Sequence, residues 1–343
     1  MPVAVDSTVE VLAALLRAGP EGFLSGEDLA GTLGVSRVSV WGRLRKLQGE
    51  GWRIEAVRGR GYRLAAEPAA LHPAALAAHL RLRPGRDRAG KIDVVYLPET
   101  DSTNREAQRR LAAGARTPLV IFAGKQTAGR GRLGRTWYSR ERGGLYLSFA
   151  FQPNLPPERL SKFTLWMGLR LCRLLNDAYA LPVRVKWPND LVHDGRKLGG
   201  MLTEARADAD WLRDLIFGLG LNVNGDPARW GEGEAARVGG TLQQVNGGRA
   251  LPVNAVAADV VAAGARAYQD FIAGRYTAEF AELWARFDVL RGSEITVRLH
   301  AGELRGRADG LDDTGALRLA LADGTKRVVQ SGDVSVGGYG KKM

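Results

Sequence analysis

The sequence predicts an α+β multidomain protein with an N-terminal winged helix-turn-helix, a central mixed α/β domain and a C-terminal SH3-like β-barrel. Three observations lead to this prediction. The first residues carry three short helical patterns and then a strand–turn–strand pattern. The middle of the chain mixes apolar strands with long amphipathic helices, and the last segment holds five short strands. We therefore expect three domains, at residues 1–66, 70–288 and 290–338.

Composition narrows the class of protein. The 343 residues are 45% hydrophobic and 25% charged, which is ordinary for globular chains. A formal charge of +12 and a pI near 10.1 favour a polyanionic partner or anionic substrates. The sequence has a single cysteine, Cys172, so a disulfide framework is excluded. Cys172 lies in an apolar helical run and is expected to be a core thiol. We see neither a signal peptide nor a membrane-length apolar run, and we expect a cytoplasmic protein with no membrane partner.

The N-terminal segment predicts a helix-turn-helix followed by a wing. Ser25 and Ser36 each precede a helical pattern and suit the N-cap position, and Gly34 supplies the turn between the two helices. The strands and the turn of the predicted wing follow at residues 51–57, 58–61 and 62–64. Residues 67–70 are predicted to be a linker, and Pro73–Leu82 a short helix.

Charge indicates what this segment binds. Between Ser36 and Arg63 there are eight basic and two acidic residues, a net charge of +6 on the third helix and the wing. A winged helix used only for protein contacts would not need this charge, so we predict DNA binding. The candidate contacts are Ser36, Arg37, Ser39 and Arg43 on the helix and Arg58 and Arg60 on the wing.

The stretch from Gly124 to Trp137 carries the strongest sign of a ligand site. Three glycines alternate with three arginines between two apolar strands, at residues 118–123 and 144–151. Glycine lets backbone N–H groups approach a ligand, and arginine presents a fixed fork to phosphate or carboxylate. The pattern predicts a flexible cationic loop that closes over an anionic ligand, although a solvated basic hairpin loop has the same composition.

Two further groups of polar residues stand at the ends of predicted elements. Ser102, Thr103 and Asn104 begin a helix predicted at residues 105–113. One cap needs only one such residue, so the surplus could hydrogen-bond a neutral polar ligand, although simple capping is the alternative. Lys186 and Lys197 end strands that we expect to pair with each other, so both ammonium groups could reach one site.

Helices are predicted at residues 161–178, 252–271 and 277–288, and a further strand at residues 215–221. In the last segment, the strands are predicted at residues 293–300, 303–310, 316–321, 326–329 and 334–336. The turn sequences Asp312–Gly315 and Asp323–Gly324 separate the later strands of this segment.

Five separated stretches resemble one family in order and spacing. They are Asp101-Ser102-Thr103-Asn104, Gln126 with Gly129-Arg130-Gly131-Arg132-x-Gly134-Arg135-x-Trp137, Lys186-Trp187-Pro188-Asn189-Asp190, Lys197-Leu198-Gly199-Gly200, and Gly220-Leu221-Asn222-Val223-Asn224. Together they resemble biotin protein ligases, and the predicted winged helix resembles the bifunctional ligase–repressor type. The resemblance implies that the central domain is a biotin/lipoate-ligase-like catalytic domain.

The resemblance also implies a reaction and its partners. The biotin carboxylate attacks the α-phosphate of ATP, bound with Mg²⁺, to give biotinyl-5′-AMP and diphosphate. A specific lysine of the biotin carboxyl carrier protein, a subunit of acetyl-CoA carboxylase, then takes the biotin and releases AMP. The family further implies a homodimer in the biotinyl-AMP-bound state, which binds operator DNA and represses genes of biotin synthesis or uptake.

Residue roles come from the same resemblance. The implied catalytic residues are Arg130, Lys186 and Lys197. The implied biotin contacts are Ser102, Thr103, Asn104, Gln126, Gly129, Arg130, Gly131, Arg132, Lys197 and Gly200. The implied ATP or adenylate contacts are Arg130, Arg132, Trp137, Lys186, Asn189, Lys197 and Asn222. Asn189 and Asp190 are candidates for Mg²⁺ or for contact with the acceptor lysine.

Two alternatives remain at this point. A lipoate–protein ligase shares the catalytic fold, but its Arg-Arg-x-x-Gly-Gly-Gly type motif is absent from this chain. A ligand-responsive repressor with an inactive ligase domain is the other alternative. The intact Gly129–Arg132 stretch and Lys197 argue against it.

Overall fold

The computed structural model describes residues 7–83, 92–139, 143–208, 210–230, 233–300 and 302–336. Within these ranges, none of the helices combines the length and the apolar character that crossing a bilayer requires.

The N-terminal segment forms the predicted winged helix. Its elements are α1 (Ser7–Ala18), α2 (Gly26–Leu33), α3 (Arg37–Gly49), β1 (Arg53–Val57) and β2 (Gly61–Ala66). Ser25 accepts a hydrogen bond from the backbone N–H of Asp28, and Ser36 from that of Ser39, so both predicted N-caps are confirmed. The two strands pair antiparallel and form the predicted wing.

The predicted linker is instead a packed connection. The Glu67 carboxylate is bonded to His79 Nε2 at 2.7 Å and accepts from Asn254 Nδ2 at 3.1 Å. Asn254 Oδ1 in turn accepts from the backbone N–H of His72 at 2.8 Å. Asn254 and His79 are buried, so these bonds are shielded from water. The sequence suggested a linker because it shows only Glu-Pro-Ala-Ala, and the distant partners of Glu67 are invisible in it.

Helix α4 (Pro73–Leu82), which has the predicted bounds, belongs to two hydrophobic cores at once. Ala75 and Ala78 pack with the winged helix, whereas Leu76 and Leu80 pack with the central domain. Alanine on one face allows close approach to α1, because its side chain adds little bulk. Helix α4 therefore joins the two parts without a flexible hinge.

The central domain is built on a seven-stranded mixed sheet in the order β3-β4-β5-β9-β8-β7-β6. Its strands are β3 (Asp93–Leu97), β4 (Leu119–Ala123), β5 (Gly144–Phe151), β6 (Arg184–Lys186), β7 (Asp190–His193), β8 (Arg196–Asp208) and β9 (Trp211–Asn222). Its helices are α5 (Thr103–Ala112), α6 (Phe163–Tyr179), α7 (Glu234–Val238), α8 (Leu242–Val245), α9 (Val253–Ile272) and α10 (Tyr276–Phe287). Only β3 and β4 pair parallel; the other pairs are antiparallel.

Both faces of this sheet are covered. On β4, Leu119 and Ile121 face α5, whereas Val120 and Phe122 face the core that α6 and α9 share. Burial on both faces explains why the strand is apolar without alternation. Helix α5 begins at Thr103, two residues before the predicted start, so Thr103 and Asn104 lie in its first turn rather than ahead of it.

The C-terminal segment forms a five-stranded antiparallel sheet in the order β13-β12-β11-β10-β14. The strands are β10 (Glu294–Leu299), β11 (Gly302–Leu311), β12 (Leu317–Ala320), β13 (Lys326–Val329) and β14 (Asp333–Val336). The last strand pairs with the first, as expected for a small SH3-like barrel. Its apolar residues are continuous with the main core, and the indole N–H of Trp187 donates to Gly315 O at 3.1 Å.

We expect Asn254→Ala to loosen α4. The substitution removes the partner of the His72 backbone N–H and one partner of Glu67, and both bonds are made by the buried side chain of Asn254. An unsatisfied buried group costs about 1–3 kcal/mol. The free energy of local opening at residues 67–83 should fall by that amount, measured by hydrogen exchange with mass spectrometry. Arg266→Ala, an exposed position on α9, is the matched control and should leave the exchange of these residues unchanged. Identical exchange in both variants would contradict the role of Asn254.

Candidate functional site

The glycine- and arginine-rich stretch Gly124–Trp137, called the lid below, is an ordered hairpin in the structure. The backbone N–H of Gly131 donates to Arg135 O at 2.7 Å, and that of Trp137 donates to Gly129 O at 2.9 Å. The hairpin turns tightly where Leu133 and Gly134 both have positive φ. Only glycine fits at position 129, because a Cβ there would lie 2.6 Å from Trp137 O. These backbone bonds define the conformation of the lid in the structure, and its flexibility stays a prediction.

The lid is seated on a bare patch of the sheet. A Cβ on Gly220 of β9 would lie 2.3 Å from Trp137 Cε2, and one on Gly200 of β8 would lie 2.8 Å from Trp137 Cζ3. Lys197 Nζ lies 5.5 Å from the centroid of the same indole, a cation–π contact. A Cβ on Gly218, two residues earlier on β9, would lie 2.2 Å from Asn104 Oδ1. Close packing against the site therefore requires glycine at positions 218 and 220, a role that the sequence analysis did not assign to them.

Beneath the lid lies a buried chain of uncharged polar groups. The backbone N–H of Thr103 donates to Gln126 Oε1 at 2.8 Å, and Gln126 Nε2 donates to Ser139 Oγ at 3.2 Å. Gln126, near the start of the lid, thus caps α5, and the Ser102 side chain makes no capping bond. Simple capping does not explain the three small polar residues.

The chain of polar groups continues to the lid through two residues that the sequence analysis missed. The hydroxyl of Ser148 lies 2.8 Å from Thr103 Oγ1 and 2.6 Å from Asn104 Oδ1. Asn104 Nδ2 donates to Glu204 Oε2 at 2.7 Å, and Glu204 Oε1 pairs with Arg130 Nη1 at 2.8 Å. A signal for Ser148 was present, because it is the one aliphatic hydroxyl inside the apolar strand Gly144–Phe151. Nothing local distinguishes Glu204 from a solvated strand residue.

Lys186 and Lys197 lie near each other, but not for the predicted reason. They stand on β6 and β8, which do not pair with each other, because β7 lies between them. Lys197 Nζ pairs with Asp190 Oδ1 at 2.7 Å. Burial lowers the pKa of Lys186, the Asp190 carboxylate opposes this, and the ammonium of Lys197 lowers the pKa further. The pair therefore forms a concentrated positive charge at the end of the sheet.

The residues predicted as metal ligands are engaged by cations of the chain. Asn189 Oδ1 accepts from Arg132 Nη1 at 3.2 Å, and Asn189 Nδ2 donates to Met201 O at 2.8 Å. Asp190 is paired with Lys197. Among the residues that the structure describes, no three acidic, histidine or cysteine side chains are grouped as metal ligands. This donor set does not fit a resident Mg²⁺ ion.

Asn222, predicted to contact the adenylate, holds the backbone of the site. Its buried amide lies 3.0 Å from Gly240 O and 3.4 Å from Lys197 O, and donates to both. It therefore fixes the strand that carries Lys197.

A cleft of about 420 Å³ opens beside the lid. Arg130, Gly131 and Arg132 line one side, and Asn189 and Glu204 lie on the sheet side. The C-terminal barrel contributes Gly315 and Gln330 to the lining, and its Asp333 forms an ion pair with Arg135 of the lid. Burial lowers the pKa of Arg132, and Asp333 and Asp190 oppose this effect. The barrel thus forms part of the site.

The candidate DNA interface differs from its prediction at one position. Arg43 Nε donates to Ser7 Oγ of α1 at 2.6 Å, so this arginine binds inside the winged helix. Ser36 and Ser39 are bonded to each other at the start of α3. The exposed side chains of α3 include Arg37, Val38, Trp41 and Arg45.

On the wing, Arg58 is exposed, and Arg60 lies over the ring of Phe23 at 4.0 Å. Both arginines remain on the same cationic surface as Arg37 and Arg45. The missed position Trp41 had no sequence signal beyond its helical spacing from Arg37 and Arg45.

Comparisons with known proteins agree with this geometry. The model of the biotin/lipoate A/B protein ligase family matches residues 96–222, an HTH domain model matches residues 9–63, and the biotin protein ligase C-terminal domain model matches residues 291–337. These matches, with the lid and the cationic cleft, define the class as a biotin/lipoate-type protein ligase that carries a helix-turn-helix.

Individual relatives are more specific. The bifunctional ligase/repressor BirA of Bacillus subtilis is 30% identical over 328 residues, covering 96% of this chain and 98% of the relative. The protein of the same name from Escherichia coli K12 is 30% identical over 335 residues with the same coverage. A biotin protein ligase from Aquifex aeolicus, solved with biotin and ATP, has a TM-score of 0.59 and 28% identity, covering 71% of this chain and 97% of that one. The chain belongs to the bifunctional ligase/repressor family of biotin protein ligases.

We expect Gly220→Ala to unseat the lid. The added Cβ would lie 2.3 Å from the Trp137 indole, and overpacking of this kind costs about 1–3 kcal/mol. Trypsin should therefore cleave after the lid arginines roughly ten- to a hundredfold faster than in the unsubstituted protein. Gly31→Ala, where a Cβ meets open space in α2, is the control and should leave cleavage unchanged. An equal cleavage rate in both variants would exclude the glycine patch as the seat of the lid.

Proposed function

We propose that the protein activates biotin with ATP to biotinyl-5′-AMP, transfers the biotin to a lysine of a biotin carboxyl carrier protein, and represses transcription from operator DNA. One observation carries the ligase part. Arg130 and Arg132 line the cleft, Lys197 lies against Trp137 of the same lid, and Lys186 is close enough to Lys197 for their charges to interact. A chain of uncharged hydrogen-bonding groups starts at Thr103 and reaches Arg130 through Asn104 and Glu204. That combination suits a ligand with a neutral polar head and an anionic tail.

The first step joins two anions. The biotin carboxylate must attack the α-phosphate, and the repulsion between them falls when fixed cations neutralise both. In our assignment, Ser102, Thr103, Asn104 and Gln126 hold the head of biotin beside Gly129 and Gly131. Lys197 holds the carboxylate next to Gly200. The phosphate contacts are assigned to Arg130, Arg132 and Lys186, with Trp137, Asn189 and Asn222 around the adenylate.

Mg²⁺ enters with its nucleotide as MgATP rather than as a resident ion. This part of the proposal rests on Asn189 and Asp190, which are both bonded to cations of the chain. The oxygen of the biotin carboxylate forms the new bond to phosphorus, and diphosphate leaves.

The second step makes an amide. The neutral amine of the carrier lysine attacks the acyl carbon of the mixed anhydride, AMP leaves with the phosphate oxygen, and the amine loses a proton. The closed lid keeps water from the same carbon in the meantime, because a hydrolysed anhydride is lost to transfer. Chemistry by this route needs no covalent bond to the enzyme, and the buried thiol of Cys172 has no role in it.

The repressor part rests on the cationic outward face of α3 and the wing. We infer that the adenylate-bound protein forms a homodimer, because two paired winged helices match a two-fold operator. Partners of these two kinds, a carrier protein and chromosomal DNA, place the protein in the cytoplasm.

The direct test is incubation with biotin, MgATP and a biotin carboxyl carrier domain, read by intact mass. We expect the carrier to gain one biotinyl group at one lysine. Lipoate in place of biotin should give no product, and a product with lipoate alone would favour a lipoate ligase. No transfer with either acid would favour a repressor with an inactive ligase domain.

We expect Lys186→Arg to move the alkaline limit of activity. The folded pKa of Lys186 is lowered, so the free protein loses this charge as pH rises through a value below that of an ordinary lysine. The kcat/KM for ATP should fall in the same range. Arginine keeps its charge in this pH range, so the alkaline limit of kcat/KM should shift to higher pH. The value of kcat/KM below the limit should be lower by about tenfold, because a guanidinium and an ammonium group differ in geometry. AMP release at subsaturating ATP measures this. Lys125→Arg is the control, because Lys125 is an exposed lysine paired with Glu99. If the alkaline limit of activity did not move in Lys186→Arg, the limit would belong to the titration of another group.

We expect duplex DNA binding to weaken with salt, and Arg58→Ala to reduce the slope of log K against log salt by about 1, because one phosphate contact is lost. Trp41→Ala should leave the slope unchanged, since it removes no charge. Arg305→Ala, an equal loss of charge on the exposed barrel surface, is the matched control. Binding without salt dependence, measured by filter retention, would contradict this interface.

A further inference from the structure

Glu204 is an acid inside a site that we assign to anionic ligands. It lies on β8 with its side chain 21% exposed, and it lines the cleft beside the lid. An unpaired carboxylate at this place would repel biotin and ATP. Its presence therefore needs a reason in the chemistry of its neighbours.

Both oxygens of Glu204 are used. Oε2 accepts from Asn104 Nδ2 at 2.7 Å, and Oε1 pairs with Arg130 Nη1 at 2.8 Å. The carboxylate of Glu204 thus connects two parts of the proposed site. One is the start of α5, which we propose binds the head of biotin, and the other is Arg130 of the lid, which we propose binds phosphate. Hydrogen bonds to charged groups are shorter and stronger than neutral ones, so this connection is firm.

The two contacts have different consequences. Asn104 also accepts from Ser148, so its amide is fixed at both ends with its oxygen toward Ser148 and its nitrogen toward Glu204. Arg130 has five N–H donors, and the contact with Glu204 engages one terminal nitrogen. Further donors of the same guanidinium are left for a bound anion.

We propose that Glu204 is a positioning residue that holds Arg130 of the lid in the cleft before the anionic ligand arrives and fixes the amide of Asn104. It acts through these two residues and does not itself contact the reacting atoms. The ligand then meets an arginine that is already placed, so less conformational entropy is lost when the lid closes. This inference rests on the proposed ligase function.

Glu204→Gln separates the two contacts. The Gln amide oxygen can still accept from Asn104, but its charge is lost and its NH₂ group faces a guanidinium that only donates. We expect the biotin dissociation constant, measured by calorimetry, to change less than about threefold. The half-life of enzyme-bound biotinyl-AMP should shorten about tenfold, in line with loss of a charge-assisted bond. Glu204→Ala removes both acceptors, so the biotin dissociation constant should then also rise about tenfold.

A double-substitution cycle tests whether Glu204 acts through Arg130. Arg130→Gln should shorten the half-life of the bound adenylate on its own. Adding Glu204→Gln to that variant should cause no further shortening, whereas independent roles would multiply. Glu99→Gln is the matched control, because it removes an exposed ion pair, at 2.8 Å, from Lys125 at the start of the lid, a residue that does not line the cleft. It should behave like the unsubstituted protein.

One measurement does not depend on the ligase reaction. In the protein without ligand, Glu204→Gln should speed tryptic cleavage after the lid arginines about tenfold, while the midpoint of thermal unfolding stays unchanged. If the unsubstituted protein formed no adenylate, the proposed function would fail and this cleavage result would still stand. Cleavage and adenylate half-life both equal to those of the unsubstituted protein would overturn the role of Glu204.

Discussion

Mutual repulsion among cations is the constraint on which the site depends. Several guanidinium and ammonium groups lie in and around the lid, and their charges would drive the lid away from the sheet without compensation. Carboxylates from different elements provide that compensation: Asp190 for Lys197, Glu204 for Arg130 and Asp333 for Arg135. Burial lowers the pKa of Lys186, and the nearby Asp190 carboxylate opposes this effect. Since Asp333 belongs to the C-terminal barrel, the barrel helps to balance the charge of the catalytic domain.

Close packing complements this balance of charge. Charge alone would hold the lid at a range of distances, because Coulomb attraction has little directional preference. The indole of Trp137 sets the distance between the lid and the sheet. It packs directly against Gly200 and Gly220, where any residue with a Cβ would clash with the ring. Gly218 likewise leaves room for the side chain of Asn104, because a Cβ at position 218 would lie 2.2 Å from Asn104 Oδ1. The glycines of β8 and β9 therefore shape both the seat of the lid and the polar end of the cleft.

The sequence predicted what is encoded locally. The caps at Ser25 and Ser36, the wing and the turns of the barrel follow from neighbouring residues, and all are present. Long-range partners could not be predicted in this way. The bond from Arg43 to Ser7 and the bond from Asn254 to Glu67 join residues far apart in the chain. Ser148 and Glu204 were missed for the same reason, because their roles depend on the elements packed against them.

The same long-range contacts constrain how a ligand could influence DNA binding. Strand β9 ends at Asn222, and Asn224 exchanges two 2.8 Å bonds with the backbone of Leu251, just before α9. Helix α9 carries Asn254, which is hydrogen-bonded to Glu67 and to the backbone of His72. The ring nitrogen Nε2 of His72 lies 3.5 Å from the carboxylate of Glu50, at the end of α3. Reorienting the winged helix within one chain would break these bonds and the packing of α4 in both cores. Ordering a surface for a second copy breaks none of them, which favours dimerisation over an internal hinge as the route from ligand to operator.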